Sequence, residues 1–319
     1  MPTSFAALDI GSNTFRLIIA EKGPEGILVG TKKVWQEVTR LSQGLSPGGG
    51  FGSAPLKRAF TALDHFAEIL QKENPQGGVL AAGTMAVRES ADGKEFMKEL
   101  NCRYGWNSKI LSGNQEAFLS ARGVQSELIA FPNCSLIFDI GGRSTELIRT
   151  YKREISLTKS LPLGVVSLTE KFIHHDPPTT QEVLAMKDYI FQTLSGKDMY
   201  IRVKNLDEII GTAGTVTTIC AMLLSLENYD PLRVNGARIP LEDIEALLTE
   251  VIGETLIKRS KRIGLHPKRA DVIVAGLALT CTLLEFFRGN YLLVSDASLL
   301  EGLWLLQAGV ISIGELPVT

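Results

Sequence analysis

Phe5–Ile18 reads FAALDIGSNTFRLI, and Leu136–Ile148 reads LIFDIGGRSTELI. Each is an apolar run, then Asp-Ile-Gly, two variable residues, Ser or Thr, two more residues, and Leu-Ile. Asp9 aligns with Asp139, Gly11 with Gly141, Thr14 with Ser144 and Leu17 with Leu147. A second pair follows at nearly the same offset: Leu80–Val87 is LAAGTMAV and Ile209–Val216 is IIGTAGTV, both apolar runs that end in Gly-Thr and a small-residue turn. Two matches in the same order and at the same spacing mark an internal duplication, which precedes any element-by-element reading.

The periodicity agrees. In the first half, strands over about 5–10, 15–20 and 27–34 precede a helix over about 54–72, with Leu56, Phe60, Leu63, Phe66 and Leu70 on one face, Ser53 as N-cap and Pro55 in its first turn. Strands near 78–82 and 109–111 and helices over about 92–100 and 114–124 complete it. In the second half, strands near 135–140, 145–150 and 155–161 lead to helices over about 165–173 and 180–194, the latter capped by Thr180. A strand near 207–211, helices over about 215–226, 241–256 and 269–287, a strand at 291–294 and a helix over about 298–308 follow. Three strands and then α/β alternation, twice over, predict two sheet-and-helix domains with a ligand cleft between them. The boundary falls in the stretch 123–133, giving domains 1–125 and 126–319, with the final helix free to return to the first.

Composition sets the class. The chain has 319 residues, 45% of them hydrophobic and 21% charged, as in soluble globular proteins. A formal charge of −2 argues against wholesale DNA or membrane-surface binding, so an anionic ligand needs a local positive site. Cys102, Cys134, Cys220 and Cys281 are scattered without a CxxC pair, which suits a reducing compartment and gives no zinc signature; Cys220 and Cys281 read as packing residues. The N-terminus has no signal-peptide pattern, and the longest apolar stretch, Val272 to Leu284, is too short to span a bilayer. The expectation is a cytoplasmic protein.

The turns suit phosphate. In D-I-G-x-x-S/T a strand ends, the chain reverses, and a second strand leaves. Glycine permits positive φ and close approach of a ligand to the backbone, and successive N–H groups in such a turn form a nest for anionic oxygens. Ser12, Asn13, Thr14 and Ser144 add side-chain donors, and the strand-end aspartate can hold Mg²⁺. Gly211-Thr-Ala-Gly214-Thr215 opens a helix and offers a second kind of anion site, although glycine there also serves simple packing. Asn114 reads as an N-cap, with Glu116 in the first turn, where it either complements the helix dipole or presents a carboxylate to a water. Arg88 could clamp phosphate or face solvent. His174-His175 reads as a helix end and not a metal pair, because sequence neighbours on a helix point about 100° apart. The basic run 258–262 and Lys268-Arg269 read as a solvated face, with a secondary polyanion contact as the alternative.

With these blocks assembled, the chain resembles the exopolyphosphatase/guanosine pentaphosphate phosphatase family, of the actin, sugar-kinase and heat-shock-chaperone ATPase superfold. The resemblance runs through ALDIGSNTFRLII, LSQGL, AAGTMAVRESAD, ILSGNQEAF, FDIGGRSTELI, LPLGVVSLTEKF, IIGTAGTVTTICA, RADVIVAGLAL and VSDASLLEGLW, nearly the whole chain. It implies an α/β fold of two ribonuclease-H-like, actin-like domains, each a mixed sheet flanked by helices, around an interdomain cleft. It implies hydrolysis of a terminal phosphoanhydride in inorganic polyphosphate or guanosine pentaphosphate, with Mg²⁺ (or Mn²⁺) as cofactor and a second copy of the chain as a candidate partner. Position by position it makes Glu116 the catalytic base, and Asp139 and Glu146 the acidic residues that bind the metal and assist the water. Ser12, Asn13 and Thr14, with Gly141, Gly142 and Ser144, become the two phosphate loops, and Arg88, Gly214 and Thr215 further phosphate contacts. Ser295, Asp296 and Glu301 fall in the closing block. Two positions depart from the family pattern. Arg143 replaces a loop glycine, adding a phosphate contact or narrowing the loop, and Gln115 replaces the first glutamate of a Glu-Glu pair. Longer relatives carry a C-terminal accessory domain for long chains, so short polyphosphate or a nucleotide is the expected substrate. A kinase of the same superfold and a weakly active polyphosphate or nucleotide sensor stand as alternatives.

Overall fold

The computed structural model describes residues 3–23, 28–46, 48–128, 130–196 and 206–317. Residue 27, the expected start of the third strand, and residue 129, within the expected boundary stretch, lie outside the described residues. The chain divides into two compact units, Met1–Ser126 with Ala297–Thr319, and Glu127–Asp296.

The first unit is built from β1 (Thr3–Ile10), β2 (Thr14–Lys22), β3 (Leu28–Val38), α1 (Ser53–Glu73), β4 (Val79–Gly83), α2 (Met85–Glu89), α3 (Gly93–Tyr104), β5 (Asn107–Ile110) and α4 (Gly113–Glu127). Its sheet runs β3-β2-β1-β4-β5. The hairpins β1/β2 and β2/β3 are antiparallel, and β1/β4 and β4/β5 are parallel. The second unit carries β6 (Cys134–Ile140), β7 (Thr145–Tyr151), β8 (Glu154–Leu161), α5 (Val165–Phe172), α6 (Thr180–Leu194), β9 (Glu208–Thr212), α7 (Ala213–Leu223), α8 (Pro231–Val234), β10 (Arg238–Pro240), α9 (Leu241–Ile252), α10 (Leu256–Arg259), α11 (Ile273–Phe287) and β11 (Tyr291–Val294). Its sheet runs β10-β11-β9-β6-β7-β8, with the same alternation of antiparallel hairpins and parallel neighbours. The first sheet's order 3-2-1-4-5 thus recurs as 8-7-6-9-11, with the short β10 added at the edge. The duplication seen in the turns extends to the whole sheet.

The chain then returns to the first unit as α12 (Leu299–Gln307), which packs on β1, β2 and β4. Trp304, fully buried, donates its indole N–H to Phe5 O and Ala20 O, both at 3.2 Å, so the ring fills the core while its one polar atom is satisfied. Helices α4 and α12 touch backbone to backbone. A Cβ on Gly302 would lie 1.9 Å from Leu119 O, and one on Gly123 would lie 1.9 Å from Ser298 O. Gly302→Ala should therefore force the helices apart and cost about 1–3 kcal/mol of stability, read as a lower midpoint in urea unfolding. In the second unit the apolar stretch that begins at Val272 becomes α11, whose residues from Ile273 to Leu284 are all buried, with α5, α6, α7 and α9 packed around it. The hydroxyls of Thr280 and Thr282 bond back to Gly276 O and Ala278 O, which lets them sit in that core. No helix among the described residues is long and apolar enough to cross a membrane.

Several expected element ends move, each for a local reason. Gly52, not Ser53, is the N-cap of α1: Leu56 N donates to Gly52 O, so Ser53 is the first helical residue and Pro55 sits in the first turn, where its missing N–H costs no helical bond. Thr179, not Thr180, caps α6, in a reciprocal box with Glu182. The expected helix over 241–256 stops at Ile252, and a separate α10 starts behind the Thr255 cap. His174 and His175 follow the end of α5 and donate their backbone N–H groups to Glu182 Oε1. Burial pulls the Glu182 carboxyl upward, but the bonds from Thr179, His175 and His174 outweigh it and hold it at about 2. The basic run is not wholly a solvated face. Arg259 is buried and donates to Ala270 O and Glu254 O, and Arg262 pairs with Glu254 and Glu250. Cys220 and Cys281 are packing residues, with burial pushing their thiols up to about 11 and about 12.

Candidate functional site

In each unit the candidate residues gather at the C-terminal ends of three parallel strands, the edge where α/β sheets bind ligands. In the first unit these are β1, β4 and β5. The turn Gly11–Asn13 leaves β1. Thr84 N and Oγ1 lie 3.3 and 3.4 Å from Ile10 O, and Leu111 N donates to Gly83 O at 3.0 Å, tying the three strand ends together. In the second unit β6, β9 and β11 repeat this. Thr215 Oγ1 donates to Ile140 O at 3.1 Å, and Ser295 N donates to Gly211 O at 2.9 Å. Ser295-Asp296 is thus the structural copy of Leu111-Ser112, a relation with no signal in the sequence.

The two Asp-Ile-Gly turns are held alike. A Cβ on Gly11 would lie 2.6 Å from Thr14 O, and one on Gly141 would lie 3.1 Å from Ser144 O. Glycine is therefore required by close backbone approach; the positive φ expected at these positions is not used, since neither is among the left-handed residues. The Gly141 N–H is directed to Ser144 O at 2.9 Å. Each turn is then braced by the segment after the third strand. Thr39 N and Arg40 N donate to Asn13 O, and Ser42 N donates to Ser12 O, which explains the LSQGL block. Arg40 adopts φ 52° to do so, held by Arg58, which donates to Thr39 O and Arg40 O. In the second unit Val165 N donates to Gly141 O, and Val166 N and Ser167 N to Gly142 O. Gly164 there approaches Arg143 so closely that a Cβ would lie 2.2 Å from its backbone.

The two copies differ in what faces the strand-end aspartate. Asp9 lies opposite Arg16 across β1/β2, with Arg16 Nη2 3.3 Å from Asp9 Oδ2 and 2.7 Å from Ser298 Oγ. Asp139 lies opposite Glu146 across β6/β7. Both second-unit carboxylates are buried, 7% and 1% exposed, and Ser160 Oγ donates to Glu146 Oε1 at 2.8 Å. The first copy builds an ion pair where the second builds a pair of carboxylates, which is an all-oxygen donor set for a hard divalent cation.

Glu116 sits in the first turn of α4, only 7% exposed, and Arg88 Nη1 reaches it at 3.2 Å (Oε2) while also donating to Leu111 O at 2.7 Å. Arg88 and Glu116, 28 residues apart, are thus brought together beside the strand ends. Ser112, not Asn114, occupies the N-cap position of α4: Gln115 N donates to Ser112 Oγ and Ser112 N to Gln115 Oε1. Glu116 still lies in the first turn.

Arg143 is largely buried, and its Nη1 stands 3.9 Å from Glu170 Oε2 on α5. Gly214 lies in the first turn of α7 behind Ala213, which adopts φ 69°. There the structure places Arg269, which the sequence reads as part of a solvated basic face. A Cβ on Gly214 would fall 2.1 Å from Arg269 Nη1, so a guanidinium lies directly on the small-residue loop and bonds Thr218 Oγ1 at 3.4 Å. Its signal was the RADVIVAGLAL block, read as a match without a role. Glu301, from the closing block, is 3% exposed and caps α12, accepting from Ser298 N at 2.8 Å and pairing with Lys32 at 3.3 Å. Asp296 accepts a hydrogen bond from the Tyr229 hydroxyl, and burial followed by that carboxylate's charge raises the phenol's pKa.

Comparison with known proteins points the same way. The chain is 31% identical to Exopolyphosphatase 2 of Mycobacterium tuberculosis over 96% of its own length and 99% of the relative. It is 26% identical to a guanosine-5'-triphosphate,3'-diphosphate pyrophosphatase of Vibrio atlanticus, over 95% of its length but 59% of that longer protein. Among solved structures, an exopolyphosphatase from Cytophaga hutchinsonii matches with a TM-score of 0.87 at 26% identity, covering 97% of this chain and 99% of the other. The Aquifex aeolicus PPX-GPPA enzyme matches with a TM-score of 0.78 at 28% identity, covering 96% and 99%. The fold is therefore the actin-like α/β type that the duplicated sheets describe. With residues 23–308 matching the family model as well, this chain belongs to the Ppx/GppA phosphatase family.

Proposed function

We propose that this protein is an exopolyphosphatase that hydrolyses the terminal phosphoanhydride of inorganic polyphosphate and releases orthophosphate. The observation that carries it is the Arg88–Glu116 pair, in which a part-exposed guanidinium fixes a buried carboxylate at the ligand edge of a duplicated phosphate-turn fold.

Hydrolysis of this bond requires charge neutralisation, alignment and a base for water, with little covalent help. Glu116 is the proposed general base, accepting a proton from the attacking water at its carboxylate. Arg88 holds that carboxylate and stands where a terminal phosphate oxygen could share its guanidinium. Ser12, Asn13 and Thr14 supply donors in the first unit's turn, and Gly142, Arg143 and Ser144 in the second's, where the Gly141 N–H is taken up by Ser144 O and Gly141 serves by letting the backbone close tightly; Gly214 and Thr215, with Arg269 against Gly214, supply a third anion contact.

Asp139 and Glu146 are the residues that would hold Mg²⁺. The fit is chemical: two carboxylates from neighbouring strands suit magnesium, which keeps several waters and takes its remaining oxygens from substrate phosphates. No group of three or more His, Cys, Asp or Glu that could hold a metal ion stands together among the described residues. Bound there, the ion supplies charge neutralisation of the phosphate oxygens and lowers the cost of the developing negative charge. The proposed activity is assigned to a reducing cytoplasm, a reading that the scattered cysteines support.

Phosphate release should be measured from polyphosphate and from guanosine pentaphosphate at matched concentrations, with Mg²⁺ and with EDTA. We expect release from polyphosphate that EDTA abolishes. The guanosine-named relatives support a second reading, hydrolysis of guanosine pentaphosphate at its 5' end, and release from the nucleotide alone would select it. Release from neither substrate would discard both.

A further inference from the structure

We propose that Gln115 is a positioning residue for Glu116, latching the turn that carries the base to the segment Ser312–Pro317. This rests on the reading of Glu116 as general base.

Gln115 makes two separate ties. Its Oε1 accepts from Ser112 N at 3.1 Å, completing the reciprocal cap at the start of α4. Its Nε2 donates to Pro317 O at 3.3 Å, 202 residues away in sequence. The cap needs only an acceptor, which a glutamate would supply equally well. The bond to a carbonyl needs a donor, which a carboxylate lacks. The amide is therefore what the second tie requires, and it occupies the position at which the family pattern has the first of two glutamates.

The segment it holds is anchored at one end and lightly seated at the other. Ile311 is buried and, with Val310, donates its N–H to Leu305 O at the end of α12. Beyond it Ser312 and Glu315 cap a single 3-10 turn, Ile313–Glu315. Ile313 is 68% exposed, and Ile313 and Leu316 line one side of a cavity of about 520 Å³ whose other side includes Lys109, Leu111 and Gln115. Leu111 is also the residue whose carbonyl accepts from Arg88. The pocket is an open groove between the Leu111–Gln115 stretch and the segment, and the Gln115–Pro317 bond joins its two sides. The Ser312 hydrogen bonds hold the Glu315 carboxyl below its usual range. A base held to an ångström or less matters because small misplacements of reacting groups are costly in rate.

The test uses the full chain and two variants that act from opposite sides, Gln115→Glu, which keeps the cap and removes the donor, and Leu316→Gly, which leaves α4 untouched. Amide hydrogen exchange is followed over residues 113–116 and 313–317, and kcat and KM are measured with polyphosphate. Both variants should speed exchange of the segment about ten-fold and lower kcat about five-fold with KM changed less than about two-fold. Unchanged exchange in Gln115→Glu overturns the latch, and faster exchange with unchanged kcat overturns its positioning role. Glu116→Gln is run beside them: if it keeps its turnover, the base assignment falls on its own, since the exchange rates report the latch without reference to activity.

Discussion

Glu116→Gln is expected to lower kcat on polyphosphate by about 10²-fold or more, with KM held within about three-fold. The substitution preserves shape. A glutamine at this position still has an oxygen to accept from Arg88, which reaches the carboxylate at 3.2 Å, and the first turn of α4 keeps its Ser112–Gln115 cap. What is lost is the capacity to take a proton from water. Because Arg88 is part-exposed, keeps Leu111 O and retains an acceptor in the glutamine, the loss of the ion pair should move stability by about 1 kcal/mol in urea unfolding. A fall in turnover with an intact fold is therefore a chemical effect. An unchanged rate would remove Glu116 from the reaction.

Asp139→Asn should be at least as damaging, and its damage should depend on magnesium. The variant converts one of two facing carboxylates into an amide, so the donor set for the cation is weakened; half-saturation by Mg²⁺ should rise ten-fold or more and kcat/KM at fixed Mg²⁺ should fall about 10²-fold. The duplicated position provides an internal control. Asp9→Asn alters a residue paired with Arg16, itself bonded to Ser298, so it should weaken the first unit's core without moving the magnesium requirement. A magnesium titration of wild type and both variants checks this. Equal displacement by the two substitutions, or by neither, would refute the assignment of the metal to the second turn.

The contrast between Asp9 and Asp139 shows how far pattern reading reaches. Both turns announce themselves in the chain, because an Asp-Ile-Gly reversal between apolar strands leaves few residue choices. At its glycines a Cβ would collide with the turn's own carbonyl, 2.6 Å away in one copy and 3.1 Å in the other. Such constraints act within a few residues, so they survive in a linear string. The expected role of positive φ was wrong in detail, since the tightness is one of distance. The caps shift by one or two residues, as at α1, where Gly52 caps and Ser53 is already the first helical residue.

Residues that meet across long separations were not legible. Arg88 was undecided between phosphate and solvent until Glu116 was found against it, and Arg269 read as surface until its guanidinium was found on Gly214. Nothing in GNQEAF indicates that the glutamine amide meets Pro317 O. The LPLG and LSQGL blocks matched a pattern, but their work, bracing the two turns through backbone N–H groups, appears only when the third strand of each sheet brings them over the loops.

By itself the sequence determined the duplication, the two phosphate turns and the α/β class, because strand period, turn stereochemistry and helix amphipathicity are written in neighbouring residues. Only the tertiary structure decided which charges face which: Arg16 to Asp9, Glu146 to Asp139, Arg88 to Glu116, and α12 back onto the first sheet. The physical reason is range, since a side chain's partner is set by sheet register and by which helix packs over which strand, and those are settled by burial summed over the whole fold.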